Sequence, residues 1–188
     1  MAALELRRPN LEALAQYADA LERGWSPDNI SGRKTALKHL AEIAEDPVAF
    51  IASQDDPEGR GPPIVLPDGS KVQRLPGYYR WIWDGEFCGT VGFRWARGTP
   101  ELPAHVFGHI GYGVVPWKQG RGYAARALSL ILPDARALGL PFVELTTDDE
   151  NIASKRTISA NGGVLIERFA LPPAYGEGGE KLRYRIAL

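Results

Sequence analysis

The sequence predicts a single mixed α/β (α+β) domain, and three observations carry that prediction. Apolar residues recur at helical spacing between Asn10 and Ala52. Asp84-Gly85 joins two runs of strand-forming residues, the signature of an antiparallel hairpin. From Phe107 onward the pattern runs strand, helix, strand, helix, strand, strand. At 188 residues the chain is long enough to bury a full core as one domain.

Taken in order, Ala3 to Arg8 reads as a short strand closed by Pro9. Asn10 is placed to cap a helix through Arg23, with Leu11, Leu14, Ala18 and Leu21 on one face. Gly24 ends it. A second helix is expected from Lys34 to Ala44 on the face Leu37, Leu40, Ala41 and Ala44, with Pro47 interrupting the pattern and Val48 to Ala52 adding a turn. Residues 54 to 77 are rich in glycine and proline and read as a loop. Tyr79, Trp81 and Trp83 share one face of the next strand, and Phe87 to Trp95 returns beside it. These aromatics read as core or sheet-face packing.

Phe107 to Val115 is the third strand of this part, followed by a helix from Arg121 to Leu138 that Pro133 should kink or shorten. Phe142 to Thr147 is a strand, Asn151 to Asn161 a short helix stopped by Gly162-Gly163, and Val164 to Phe169 a strand. A Pro/Gly loop and a last strand, Leu182 to Ile186, complete the chain.

Composition removes several function classes. With 22 basic and 23 acidic residues the net charge is −1, so no broad field points to nucleic acid or an anionic membrane. One cysteine, Cys88, excludes an intrachain disulfide and a multi-cysteine zinc site, and no metal site is expected. Neither a signal-peptide core nor an apolar run of about 20 residues is present, so a cytoplasmic, soluble protein is expected.

The chemistry concentrates in Gly108 to Ala124. Two glycines, Gly111 and Gly113, lie inside the strand, which often marks close approach by a ligand or another backbone. Gln119-Gly120-Arg121-Gly122-Tyr123-Ala124 then leads into a helix. A glycine-bearing turn at a helix start presents free backbone N–H groups, and Lys118 and Arg121 add positive charge, so the physical target is a diphosphate. The turn lacks both the Walker ending and the dinucleotide fingerprint. A parallel pairing of the strands before and after this helix would bring Asn151 to the same sheet end.

With Asn151-x-x-Ser154 and Asn161-Gly162-Gly163 added, the region from Tyr78 to Leu188 resembles the GNAT acyl-CoA N-acyltransferase superfamily. The first 77 residues fit that family's variable N-terminal part. The resemblance implies a twisted, mostly antiparallel sheet of about six to seven strands flanked by helices. It also implies acetyl-CoA as donor and direct acyl transfer to an amine. Backbone groups of Val114 and Val115 would hold the pantetheine arm. Gln119, Gly120, Arg121, Gly122, Tyr123 and Ala124 would hold the diphosphate, and Asn151 and Ser154 would flank the arm.

Direct transfer needs a base and a proton donor. His109 on the central strand is the candidate base. Family members often carry a tyrosine seven residues after the helix-start asparagine, where this chain has Ile158. Ser154, Tyr175 or water would then reprotonate the thiolate. Asp148, Asp149 and Glu150 offer an ammonium-attracting cluster or a solvated helix start. The acceptor amine stays open between small molecule, peptide and protein, and a homodimer is compatible with the sequence. A non-catalytic CoA-binding or sensory module is the rival reading, and a nucleotide-phosphate protein of another fold is a third.

Overall fold

The structure, a computed structural model, describes residues 3–171 and 180–188. One sheet has the order β1 (Glu5–Arg7), β5 (Gly77–Trp83), β6 (Phe87–Arg94), β7 (Ile110–Val114), all antiparallel, with β2 (Asp55–Asp56) added beside the start of β5. A second sheet has the order β8 (Phe142–Asp148), β10 (Glu180–Ala187), β9 (Val164–Ala170). The glycine- and proline-rich stretch expected as loop also forms a small ribbon from β3 (Ile64–Val65) and β4 (Lys71–Val72). The helices are α1 (Leu14–Glu22), α2 (Arg33–Glu45), α3 (Pro47–Ser53), α4 (Tyr123–Ala137) and α5 (Ile152–Ala160).

The first sheet is buried on both faces. Trp81, Trp83, Phe87 and Val115 pack under α1 to α3, where Tyr17 stacks on Trp81 with ring centroids 5.4 Å apart. Ile82, Val91, Phe93 and Ile110 pack under α4, against Leu128 and Ile131 and the inner residues of β8 and β10. The alternation of Trp81 and Trp83 against Ile82 is the period-2 pattern of a strand covered on both sides.

Several local expectations change. Pro47 does not interrupt a helix. It is the first residue of α3, whose Asp46 cap accepts from the N–H groups of Val48 and Ala49 at 3.0 and 2.9 Å. The inward face of α2 is Ala36, Leu40 and Ile43, while Leu37, Ala41 and Ala44 are exposed. His39 lies on that inward side and hydrogen-bonds the buried Tyr17 hydroxyl at 2.7 Å, which orients the helix. Leu11 is likewise exposed and the α1 face is Leu14, Tyr17, Ala20 and Leu21. Helix α4 continues past Pro133 to Ala137. Pro133 and Ser129, whose carbonyl loses a partner to the proline, both face solvent, where water can satisfy the freed group.

The largest departure concerns β7 and β8. The expected parallel pairing is confined to one junction, because β7 belongs to one sheet and β8 to the other. The His109 N–H donates to the Glu144 carbonyl at 2.7 Å, and the Glu144 N–H donates to His109 Nδ1 at 3.0 Å. The ring thus stands where the next backbone rung would be. Gly108 permits the approach, since a methyl group there would lie 3.1 Å from the Glu144 carbonyl oxygen. Beyond the junction the strands part, and regular β7 starts at Ile110 instead of Phe107.

His109 is fully buried, and its Nε2 lies 3.1 Å from the Pro100 carbonyl. Since Nδ1 accepts, Nε2 must carry the proton. Burial lowers its pKa below the usual histidine value. Its neutral form therefore stabilises the fold fully above the unfolded pKa of about 6.5, and that stabilisation is lost as pH falls below it. Replacing His109 by Ala leaves Glu144 N–H and the Pro100 carbonyl unsatisfied, and should cost about 3 kcal/mol by urea unfolding. His109→Gln should flatten part of the fall in stability below about pH 6.5, the remainder belonging to half-buried His39.

Candidate active site

The parting of β7 and β8 creates a wedge, and ladder geometry decides what faces it. Arg94 N–H donates to the His109 carbonyl at one end of the β6–β7 ladder, and Val115 N–H donates to the Cys88 carbonyl at the other. In an antiparallel ladder hydrogen-bonded pairs alternate. Gly111 and Gly113 therefore bond β6, and Ile110, Tyr112 and Val114 turn their backbone groups toward the wedge. Val115 spends its N–H on Cys88 and its carbonyl on the Lys118 N–H, each at 2.9 Å. The Val114 carbonyl accepts from Gln119 Nε2 at 3.1 Å. Of the two residues expected to hold a ligand through backbone, only Val114 faces the opening.

At the head of the wedge a single 3-10 turn, Pro116–Lys118, leads into the glycine turn. Gly120 and Gly122 adopt φ of 74° and 75°, a region side-chain-bearing residues enter only with strain. Among the described residues the backbone N–H groups of 120 to 125 donate no hydrogen bond, and the first donor of α4 is Arg126, to the Gly122 carbonyl. By contrast α3 and α5 have their first N–H groups capped by Asp46 and Asn151 side chains. Six successive unpaired donors at the positive end of a 15-residue helix make a cradle that can receive an anion.

The cradle is anchored from below. Lys118, expected to add charge for a phosphate, instead pairs with Asp84 (Nζ 3.0 Å from both carboxylate oxygens) and with Glu86 at 3.1 Å. The Tyr123 hydroxyl donates to Asp84 Oδ2 at 2.6 Å. This latch ties the β5–β6 hairpin to both sides of the glycine turn and leaves exposed Arg121 as the cation on the loop. Burial alone would raise the Asp84 carboxyl, but hydrogen bonds from Tyr123 and Lys118 outweigh it and hold its pKa at about 2. Burial and the adjacent Asp84 push the Cys88 thiol up to about 12, which leaves it protonated and a poor nucleophile.

The far wall comes from α5. Asn151 Oδ1 accepts the Ser154 N–H at 3.0 Å, so its carbonyl serves as the helix cap and its amide N–H groups remain available. Ser154 Oγ lies 2.9 Å from the Tyr112 hydroxyl, a contact that crosses from α5 to β7. Tyr112 did not emerge as a site residue from the sequence, although the alternation that puts Ile110, Tyr112 and Val114 together was the signal for it. Ile158 is fully buried in the core, so the usual tyrosine position cannot supply an acid. Tyr175 lies outside the described residues. His109 sits at the base of the wedge with both ring nitrogens engaged and offers no free lone pair. Asp148 and Asp149 are neutralised by Lys181, Lys155 and Arg168.

This geometry meets its family by comparison. The family model described as an acetyltransferase (GNAT) domain matches residues 69–164, just over half of the chain. The protein belongs to the GNAT acetyltransferase family. The self-immunity acetyltransferase MccE, in complex with acetyl-CoA and AMP, is similar in fold, with a TM-score of 0.63 at 12% identity over 98% of this chain and 92% of that one. The ribosomal alpha-N-protein acetyltransferase RimL in complex with coenzyme A gives 0.63 at 12% identity over 100% and 96%. A GNAT-family acetyltransferase from Bordetella pertussis gives 0.58 at 19% identity over 98% and 95%. A search of curated protein sequences gives no significant match. Among the described residues no helix is long and apolar enough to cross a membrane.

The latch carries the prediction here. Asp84→Asn should destabilise the protein by about 2 kcal/mol, less than is usual for a buried pair because Glu86 still holds Lys118. With a depressed folded pKa, the Asp84 contribution is complete above about pH 4 and is lost as pH falls toward 2. Acid unfolding of the variant should lack that component.

Proposed function

We propose that this protein is an acetyl-CoA-dependent N-acetyltransferase that passes the acetyl group directly to a primary amine. The observation that carries the reading is the row of unpaired N–H groups from 120 to 125 at the head of the β7–β8 wedge. A diphosphate fits that cradle by charge and hydrogen bonding. The wedge-facing backbone groups of Ile110 and Tyr112 and the Val114 N–H, with the Asn151 amide opposite, suit an amide-bearing arm that alternates donors and acceptors. Bound acetyl-CoA would supply an activated thioester.

The chain's own residues then position and move protons. Ser154 Oγ, backed by the Tyr112 hydroxyl, is the hydrogen-bond donor for the departing thiolate. His109 holds the strands together, and the acceptor ammonium releases its proton to solvent over exposed Gly111. The inert Cys88 thiol favours direct transfer over a cysteinyl intermediate. A cytoplasmic setting is consistent with the lone cysteine being a free, buried thiol.

Free-thiol release from acetyl-CoA with a panel of amines, read together with the mass shift of the acceptor, tests the reading. Amine-dependent release is expected. Binding of CoA without release from any amine would favour a sensory module, and stabilisation by ATP but not CoA would favour a nucleotide-binding protein. Gly122→Val should weaken acetyl-CoA binding about 10-fold by straining the cradle. Ser154→Ala should lower kcat by about 100-fold with acetyl-CoA KM nearly unchanged. Normal turnover in both Ser154→Ala and Tyr112→Phe would remove the proposed proton donor.

A further inference from the structure

On the sheet face opposite α4, next to the wedge, Gly92 of β6 pairs with Gly111 of β7. A methyl group on Gly92 would overlap the Tyr79 ring, 2.7 Å from its Cε1 atom, so the ring lies across the strand. Gly111 is exposed, and a methyl group there would meet only Arg94, with Nη2 at 3.7 Å. Tyr79, Gly92 and Arg94 also line a pocket of about 170 Å³ together with Asp56, Arg74 and His105. That volume is below the usual range for a whole drug-sized ligand, so it suits one end of a small molecule.

The charges in this pocket do not balance internally. The Asp56 carboxylate accepts the N–H groups of Arg60 and Gly61 at 2.9 and 2.8 Å. These N–H groups, outweighing burial and with Arg74 adding to them, lower the Asp56 pKa, and Arg74 Nε points to the Pro62 carbonyl at 3.4 Å. Arg94 is different. Among the described residues its half-buried guanidinium makes neither an ion pair nor a side-chain hydrogen bond. His105 Nε2, shielded from solvent in the same pocket, also has no hydrogen-bond partner among the described residues. The buried His105 nitrogen costs free energy unless a ligand supplies its partner, and the half-buried Arg94 guanidinium has its donors left for water or a ligand.

We infer that Arg94 is the specificity residue of the acceptor site, and that the acceptor is a small amine also carrying an anionic oxyacid group, carboxylate or phosphonate. The guanidinium presents a planar donor fork that matches either group in a bidentate way. Exposed Gly111, with Arg94 beside it, provides the open floor over which the amine end reaches the wedge. This inference rests on the acetyltransferase reading for the reaction, but not for the binding of the anion.

The test compares 3-aminopropanoate, 4-aminobutanoate and 6-aminohexanoate with their neutral amides and with the matching aminoalkyl phosphonates, in wild type, Arg94→Gln and Arg94→Lys. Wild type should favour at least one anionic amine over its amide by 10-fold or more in kcat/KM, and Arg94→Gln should bring that ratio to about one. Arg94→Lys should keep part of the ratio, which separates loss of charge from loss of fold. The carboxylate and phosphonate series distinguish the two anion sources. A wild-type preference for neutral or cationic amines, or an anionic preference that survives Arg94→Gln, would overturn the inference. If no amine releases thiol, the acetyltransferase reading fails, and calorimetry with N-acetyl-4-aminobutanoate on CoA-loaded protein decides the present one. Binding lost in Arg94→Gln supports it, and no binding to wild type overturns it.

Discussion

The architecture depends on one junction, where His109 holds two strands that do not otherwise pair. Strands joined by a crossover helix ordinarily zip together along their length. Here the His109 backbone and ring bond both groups of Glu144, and the strands separate beyond it. Backbone groups left unpaired along such an edge cost free energy unless water or a ligand pairs them. The wedge is therefore an open, hydrogen-bonding edge created by a structural histidine, and burial of that ring disfavours its charged form. A residue type associated with proton transfer here acts through shape and hydrogen bonding.

The rest of the chain makes the wedge rigid at its other boundaries. The core beneath α4 fixes the helix whose N-terminus forms the cradle. The Asp84 latch fixes the turn from the side of the β5–β6 hairpin, using two neutralised charges and a phenol. The α1–α3 layer covers the far part of the opposite sheet face through Tyr17, Trp25 and Trp81 and stops short of Gly92 and Gly111. The glycine turn, the wedge and exposed Gly111 are thus three places left open by packing that is otherwise dense.

Much of this was legible in the residues. Period-2 and helical spacing located the main strands and helices. The glycine turn pointed to an anion, and Asn151-x-x-Ser154 pointed to the opposite wall. What escaped was set by tertiary contacts. The inward face of α2 follows the buried Tyr17–His39 hydrogen bond, which apolar spacing does not report. Pro47 begins a helix because Asp46 caps it, a local rule available in the sequence but overridden there by the expectation of a break. Lys118 looked like a phosphate ligand until the hairpin brought Asp84 and Glu86 to it. Tyr112 needed only the strand alternation, whereas the failure of β7 and β8 to pair needed three dimensions.

Binding of coenzyme A in the wedge and its glycine turn is the central expectation for this protein. A two-dimensional amide NMR titration of the isotope-labelled protein with CoA measures this residue by residue. The largest shifts are expected at the N–H groups of residues 120 to 125, at Ile110, Tyr112 and Val114, and at the Asn151 side-chain amide. Saturable CoA shifts elsewhere, with those resonances unmoved, would contradict it.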